Sequence, residues 1–117
     1  MEALTTKTVT VASGSGTSTA LELTARECVV AFQTASSTFD GTAMALHASL
    51  DGGTTYSPVY DVYGNAVSFT IGDDVSGGRT YFVAPEITYG LPKVKFVSNA
   101  NQGGNETIQV SVRSGSD

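Results

Sequence analysis

The regular alternation of apolar and polar residues constrains the fold of this chain more than any other feature. Alternation with a period of two places every second side chain on one face of an extended strand, so each run predicts a β-strand with one buried face. The clearest run is residues 106–113, in which Ile108, Val110 and Val112 share one face. Equivalent apolar positions in earlier runs are Val9, Val11, Leu21, Leu23, Met44, Leu46, Ala48, Leu50, Val67, Phe69 and Ile71. We predict that these side chains form one core.

Turn signals separate the alternating runs at short intervals. They are Asp40-Gly41, Asp51-Gly52-Gly53, Gly64-Asn65, Gly77-Gly78 and Gly103-Gly104. No apolar stripe with a period of 3.6 residues is long enough for a helix. Eight or nine short strands with this spacing are typical of an antiparallel two-sheet sandwich or of a small barrel. We predict an all-β chain folded as a two-sheet β-sandwich, either jelly-roll-like or immunoglobulin-like.

Two of the expected strands have distinctive positions. Residues 27–33 are apolar on both faces, which predicts a strand in the centre of its sheet or one covered by a partner. Residues 55–62 contain Pro58. Proline has no backbone N–H to donate, so this strand is expected at the edge of a sheet.

A chain of 117 residues is expected to form one domain. We divide it into residues 1–18, an N-terminal strand or arm with a flexible connection, and residues 19–117, the sandwich. The strand at residues 5–12 is followed by Ser13-Gly14-Ser15-Gly16. It is a candidate arm that adds to the sheet edge of a neighbouring subunit. An ordinary first strand followed by a loop fits the same residues.

The composition argues against several classes of partner. The net charge is −5 and only 15% of the residues are charged, which argues against electrostatic binding of nucleic acid. No apolar run approaches the ~20 residues that span a membrane. Residues 1–12 lack the basic and then apolar layout of a signal peptide, so we expect synthesis in the cytoplasm.

The residues with chemical potential do not form a known catalytic or metal-binding motif. His47 is the single histidine, and Ser49 lacks the G-x-S-x-G elbow of a hydrolase. The candidate calcium ligands, Asp51, Asp61, Asp73 and Asp74, do not have the D-x-D-x-D spacing. Cys28 lies in an apolar strand and is expected to pack as a small hydrophobic residue. A hydrolase would need His47 or two carboxylates to meet in a cleft, and we predict a non-enzymatic protein without metal or cofactor.

The tyrosines are the best candidates for contacts with a partner. All five lie after residue 55, and Tyr56, Tyr60 and Tyr63 are close together. Tyrosine is enriched in protein interfaces because it combines apolar area with a polar tip. These three, with Val9 and Val11 of the N-terminal strand, are the predicted partner-binding residues. The same rings are equally suited to closing one end of the core, and a sugar-stacking platform is a further alternative.

The order of several elements resembles that of a family of small tailed-phage virion proteins. The chain has Ser49-Leu50-Asp51-Gly52, then Tyr60-Asp61-Val62-Tyr63-Gly64, then Tyr81-Phe82-Val83-Ala84-Pro85. A lysine-bearing strand at residues 91–98, an Asn-Gln-Gly-Gly turn at residues 101–104 and a last alternating strand follow. The resemblance covers residues 20–113.

Proteins of this family are head decoration (cement) proteins or related minor structural proteins of the virion. The resemblance implies a β-sandwich that binds the major capsid protein on the outside of an icosahedral head, as a homo-oligomer and often as a trimer. It implies a location on the head surface after synthesis in the host cytoplasm. The alternative is a carbohydrate- or receptor-binding β-sandwich module of a phage tail fibre.

Overall fold

The computed structural model describes residues 3–24, 26–34, 40–71 and 79–114, and within them the chain consists mainly of β-strands. In chain order the strands are β1 (Ala3–Val11), β2 (Leu21–Glu22), β3 (Glu27–Thr34), β4 (Ala43–Ser49), β5 (Ser57–Pro58), β6 (Ser68–Thr70), β7 (Arg79–Phe82), β8 (Lys93–Ser98) and β9 (Glu106–Ser114). A single helical turn, α1 (Pro85–Thr88), lies between β7 and β8. The prediction of an all-β chain with eight or nine short strands is confirmed.

The strands form two antiparallel sheets that pack face to face. The first sheet has the order β1-β9-β3-β7, and the second has the order β2-β8-β4-β5. Strand β6 also pairs with β4, next to β5. Strand β3 lies inside its sheet between β9 and β7, as its two apolar faces predicted. Strand β5, which contains Pro58, lies at an edge. The predicted two-sheet β-sandwich is confirmed.

Aromatic packing around Phe32 marks the centre of the core. The Phe32 ring is 1% exposed, and its centroid lies 5.2 Å from that of Phe69 and 5.0 Å from those of Tyr81 and Phe96. Burying such a side chain contributes up to about 3 kcal/mol, and each aromatic pair adds about 1 kcal/mol. The buried cluster comprises Val9, Val11, Leu21, Leu23, Val29, Phe32, Met44, Leu46, Val67, Ile71, Val83, Val94, Phe96, Ile108, Val110 and Val112. Ala48 and Phe69 pack against it while partly buried.

One residue of the predicted core, Leu50, lies outside it. Its side chain is 77% exposed, whereas Ser49 is fully buried. Strand β4 ends at Ser49, so the alternation that fixes the inward face does not continue to Leu50. The buried Ser49 hydroxyl instead accepts the N–H of Gly53 and donates to Asp51, which anchors the following turn. The prediction for Leu50 was therefore wrong.

The N-terminal segment is an integral strand of the sandwich in this structure. Strand β1 pairs with β9 through nine consecutive residues, and Val9 and Val11 are buried in the core. The connection after it is hydrogen-bonded to a later loop: the N–H of Gly14 donates to the carbonyl of Gln102 at 2.8 Å. Of the two alternatives, the structure has the ordinary first strand. Val9 and Val11 offer no surface to a partner in this fold, because their side chains already pack inside it.

Candidate partner-binding surface

A tight turn between β5 and β6 projects from the edge of the second sheet. The N–H of Asp61 donates to the carbonyl of Asn65 at 2.8 Å, and the N–H of Gly64 donates to the carbonyl of Asp61 at 3.0 Å. Gly64 has φ +84°, a conformation that favours glycine because it has no Cβ. The Asp61 Oδ1 atom accepts the N–H groups of Tyr63 and Asn65, both at 2.9 Å. The turn therefore holds Val62 and Tyr63 at its tip.

Large apolar side chains are exposed together around this turn. Val62 is 92% exposed, Tyr63 86% and Tyr60 60%, and Leu50 contributes from the neighbouring loop. We call Leu50, Pro58, Tyr60, Val62 and Tyr63 the Tyr60 surface. Single exposed apolar residues are common in soluble proteins, but a contiguous group marks an interaction site.

Two open grooves share Val59 and Tyr60 in their linings. The first has a volume of about 440 Å³, and Leu50, Pro58 and Leu91 line it together with Tyr60. The second has a volume of about 300 Å³, and its wall is completed by the residues Val62, Tyr63, Ala84 and Ile87. Of these two shared residues, Tyr60 is the more exposed, so its side chain connects the two halves of the surface.

The charge on the grooves is negative. Within the described residues, the charged side chains that line them are Asp51 and Asp61. The backbone N–H of Thr55 and the Ser49 hydroxyl donate to Asp51 and hold the pKa of its carboxyl below the ordinary value. Asp51 is therefore ionised at neutral pH. An apolar partner side chain next to Lys or Arg matches this surface best.

The predicted partner-binding residues divide into three groups. Tyr60 and Tyr63 come together on the Tyr60 surface. Tyr56 lines neither groove; its half-buried ring lies under the Lys95 ammonium, with the Nζ atom 4.3 Å from the ring centroid. Strand β5 covers only Ser57–Pro58, and Tyr60 forms a separate bridge with Ala66, so the two tyrosines do not lie on one long regular strand. Val9 and Val11 lie in the core.

The candidate catalytic residues do not form a reactive arrangement among the described residues. Ser49 Oγ donates to Asp51 Oδ1 at 2.7 Å, so its proton is held by a turn carboxylate. His47 lies in β4 between Pro58 and Lys95 of the neighbouring strands. These contacts give Ser49 a structural role.

The candidate metal ligands and the cysteine also have structural roles where the structure describes them. Asp51 and Asp61 each organise a turn, while Asp73 and Asp74 lie outside the described residues. Across the described ranges no three His, Cys, Asp or Glu residues converge on a possible metal position. Burial raises the pKa of the Cys28 thiol, which suits its predicted role as a small packed side chain. No helix in the described part of the chain is long and apolar enough to cross a membrane.

Sequence reasoning missed Leu50 and Val62 as surface residues. The sequence contains a feature that predicts exposure of both residues, because each adjoins a turn motif. Leu50 precedes Asp51-Gly52, and Val62 follows Asp61 in an Asp-x-x-Gly turn. Connecting segments run over the protein surface, so apolar residues in or next to such turns are often exposed.

Comparisons with known proteins add little to this description. No protein-family model matches the sequence, and no curated protein matches it significantly. A structural match is found to a chain described by the words "Bacillus endospore appendages form a novel family of disulfide-linked pili". The identity is 13% and the TM-score 0.37, over 100% of this chain and 92% of that chain, and we draw no argument from it.

Proposed function

We propose that this chain is a non-enzymatic structural protein of a tailed-phage virion, which decorates the outside of the head by binding the major capsid protein. The observation that carries the proposal is the Tyr60 surface. It combines four large apolar side chains, between 60% and 92% exposed, with two adjoining grooves. The sequence resemblance supports the kind of partner, since it extends through both turns that build this surface.

The chemistry of the surface fits binding to a protein shell. Aromatic side chains that enter apolar pockets supply most of the affinity in protein interfaces. The two groove carboxylates, Asp51 and Asp61, attract a basic rim on the capsid and set the orientation of binding. We expect binding to weaken as salt is added, because rim charges are screened over about 8 Å at physiological ionic strength.

Co-sedimentation with undecorated head shells tests the proposal. The wild-type chain should pellet with shells at a saturating, fixed stoichiometry. Tyr63→Ala should reduce occupancy at least tenfold, whereas Tyr89→Ala should not change it. Tyr89 is a matched control because it is 62% exposed and lines neither groove.

A glycan array separates the head proposal from the tail-fibre alternative. The same tyrosines in a carbohydrate-binding module would stack on sugar rings. Saturable binding to a glycan, without binding to shells, would contradict the proposed function and favour the receptor-binding module. Binding to shells without glycan binding would support decoration of the head.

A further inference from the structure

The edges of the two sheets differ in how well they are protected. Strands β2 and β5 have two residues each, β7 has four, and β5 also contains Pro58. Strand β1 is an edge strand of nine residues without proline. Long unprotected edges recruit another strand because their backbone donors and acceptors are unpaired. Strand β1 is therefore the edge that most requires a partner.

The backbone geometry of β1 shows which residues face outward. The N–H of Thr10 donates to Thr19 Oγ1 at 3.1 Å, and the carbonyl of Thr10 accepts the N–H of Thr19 at 2.9 Å. The pairing of β1 with β9 is unbroken, so the direction of the backbone groups alternates along the strand. Leu4, Thr6 and Thr8 therefore direct their N–H and carbonyl groups away from β9. Thr19 covers the Thr10 end, and no other backbone pairing with this side of β1 occurs between residues 4 and 8 in the described structure.

The single lysine of β1 does not protect this edge. Lys7 Nζ lies 3.0 Å from Glu27 Oε1 and 3.0 Å from the carbonyl oxygen of Glu22, so its charge is held between the sheets. The outward-facing residues are uncharged, and Leu4 is 70% exposed. The edge thus lacks the charged side chain that commonly prevents pairing with another strand.

We propose that β1 pairs with β1 of a second copy of this chain, antiparallel across a two-fold axis at Thr6. This register places Thr6 opposite the partner subunit's Thr6, and Leu4 opposite the partner subunit's Thr8. By symmetry Thr8 also lies opposite the partner subunit's Leu4, and all three pairs are of the hydrogen-bonded type, in which the two residues exchange two backbone hydrogen bonds. Thr6 is the centre of the free stretch, because a shift towards Thr10 would bring the second copy against Thr19.

The edge is self-complementary in geometry, and no like charges lie directly opposite each other. Lys7 faces the partner subunit's Thr5 in this register, and the partner subunit's Lys7 is its diagonal neighbour. Each Lys7 is already ion-paired with Glu27 of its own chain, which reduces the repulsion between the two ammonium groups. Cross-strand pairs of β-branched residues such as threonine are favourable. The same patch serves both subunits, which is the two-fold arrangement commonest in homo-oligomers. The trimer implied by the resemblance would instead need β1 to pair with a different edge.

The dimer is compatible with the proposed function and does not depend on it. Strands β1 and β2 end the two sheets on one side of the sandwich, and β7 and β5 end them on the other. The Tyr60 surface lies on the β5 side. Both partners can therefore bind at the same time.

Cysteine cross-linking tests the register. Hydrogen-bonded partners in antiparallel strands have Cα atoms about 5.5 Å apart, within the range for a disulfide. Under mild oxidation Thr6→Cys should form a covalent dimer at least tenfold faster than Gln109→Cys, an exposed position in the inner strand β9. The wild type should not cross-link, because Cys28 is buried. Equal rates for the two variants, or no dimer from Thr6→Cys, would overturn the proposal.

A proline variant tests the edge itself by sedimentation across a concentration series. The wild type should reach twice the monomer mass, while Thr6→Pro should stay folded and weaken dimerisation at least tenfold. Proline is tolerated at an edge when its N–H would have faced outward. A folded Thr6→Pro chain that dimerises like the wild type would contradict the proposal. So would a trimeric wild type, or a Thr6→Pro chain that fails to fold, since that N–H would then be needed by β9.

Discussion

Asp61 Oδ1 lies 2.9 Å from the backbone nitrogen of Tyr63, and this hydrogen bond fixes the turn that leaves the Tyr63 side chain 86% exposed. The same oxygen accepts the N–H of Asn65, so one carboxylate closes the turn at two points. These two hydrogen bonds to Asp61 position the Tyr63 ring in solvent, and residues of the core are not needed for this. The geometry of the candidate interface is therefore set locally, by the turn, while the sandwich provides its base.

Replacing Asp61 with Ala should lower the free energy of unfolding by about 1 kcal/mol, because two backbone N–H groups lose their acceptor at an exposed site. Binding to shells should weaken as well, since Tyr63 loses its fixed position. Asp61→Asn keeps an oxygen acceptor and should remain close to the wild type in stability. Urea unfolding of the three chains makes the comparison, and an Asn variant as unstable as the Ala variant would contradict this role of the side-chain oxygen.

The boundary of the core can be tested with a pair of identical substitutions. Val110→Asp places an unpaired charge in the centre of β9, where the side chain is fully buried, and should cost several kcal/mol, enough to unfold a domain of ordinary stability. Leu50→Asp introduces the same charge at an exposed position and should change the melting temperature little. A folded Val110→Asp chain, or an unfolded Leu50→Asp chain, would contradict the assignment of the core.

The contrast between Val110 and Leu50 shows how far the sequence determines the fold. Alternation predicts the inward face wherever a strand continues, as at Val110, because the pleat fixes the direction of each side chain. It fails at Leu50, where the strand has ended at Ser49 and turn hydrogen bonds decide which side chain is buried. The outcome at a strand end depends on where the ladder stops, which the local pattern does not specify.

The candidate site was less predictable than the fold. Tyr60 and Tyr63 were identifiable by residue type, but the sequence did not separate them from Tyr56. The separation depends on the short β5 and on Lys95, which approaches Tyr56 from β8. Contacts between strands distant in sequence follow from sheet order, and no local pattern encodes that order. The sequence likewise left open whether the strand of Val9 is an arm or an ordinary first strand, because its pairing with β9 is long-range.

Stability should depend on pH through Glu27. The backbone N–H of Thr24 donates to its carboxylate at 2.8 Å, and the Lys7 ammonium lies 3.0 Å away; together they hold the pKa of Glu27 below its ordinary value despite partial burial. A carboxylate with a lowered folded-state pKa stabilises the protein above its unfolded-state pKa of about 4.3, and the contribution disappears as the pH falls through the folded-state pKa.

Glu27→Gln should therefore be less stable than the wild type at pH 7, and the difference should shrink steadily below about pH 4. Thermal unfolding of both chains between pH 3 and pH 7 measures it. Glu22→Gln is a suitable control, because its side chain is 74% exposed and its ion pair with Lys93 is expected to contribute little. A difference between Glu27→Gln and the wild type that stayed constant with pH would contradict the electrostatic role of Glu27.

The most direct test of the proposed function is to measure shell binding and unfolding on one variant, Tyr60→Ala, with Tyr89→Ala as its control. A central interface tyrosine costs about 2 kcal/mol or more of binding when truncated, whereas a buried aromatic costs about 3 kcal/mol or more of folding stability. Because Tyr60 is 60% exposed, we expect its loss to weaken shell binding at least about thirtyfold while the melting temperature changes little. Unchanged shell binding with a large loss of stability would indicate that Tyr60 acts as a core residue, and it would contradict the proposed function.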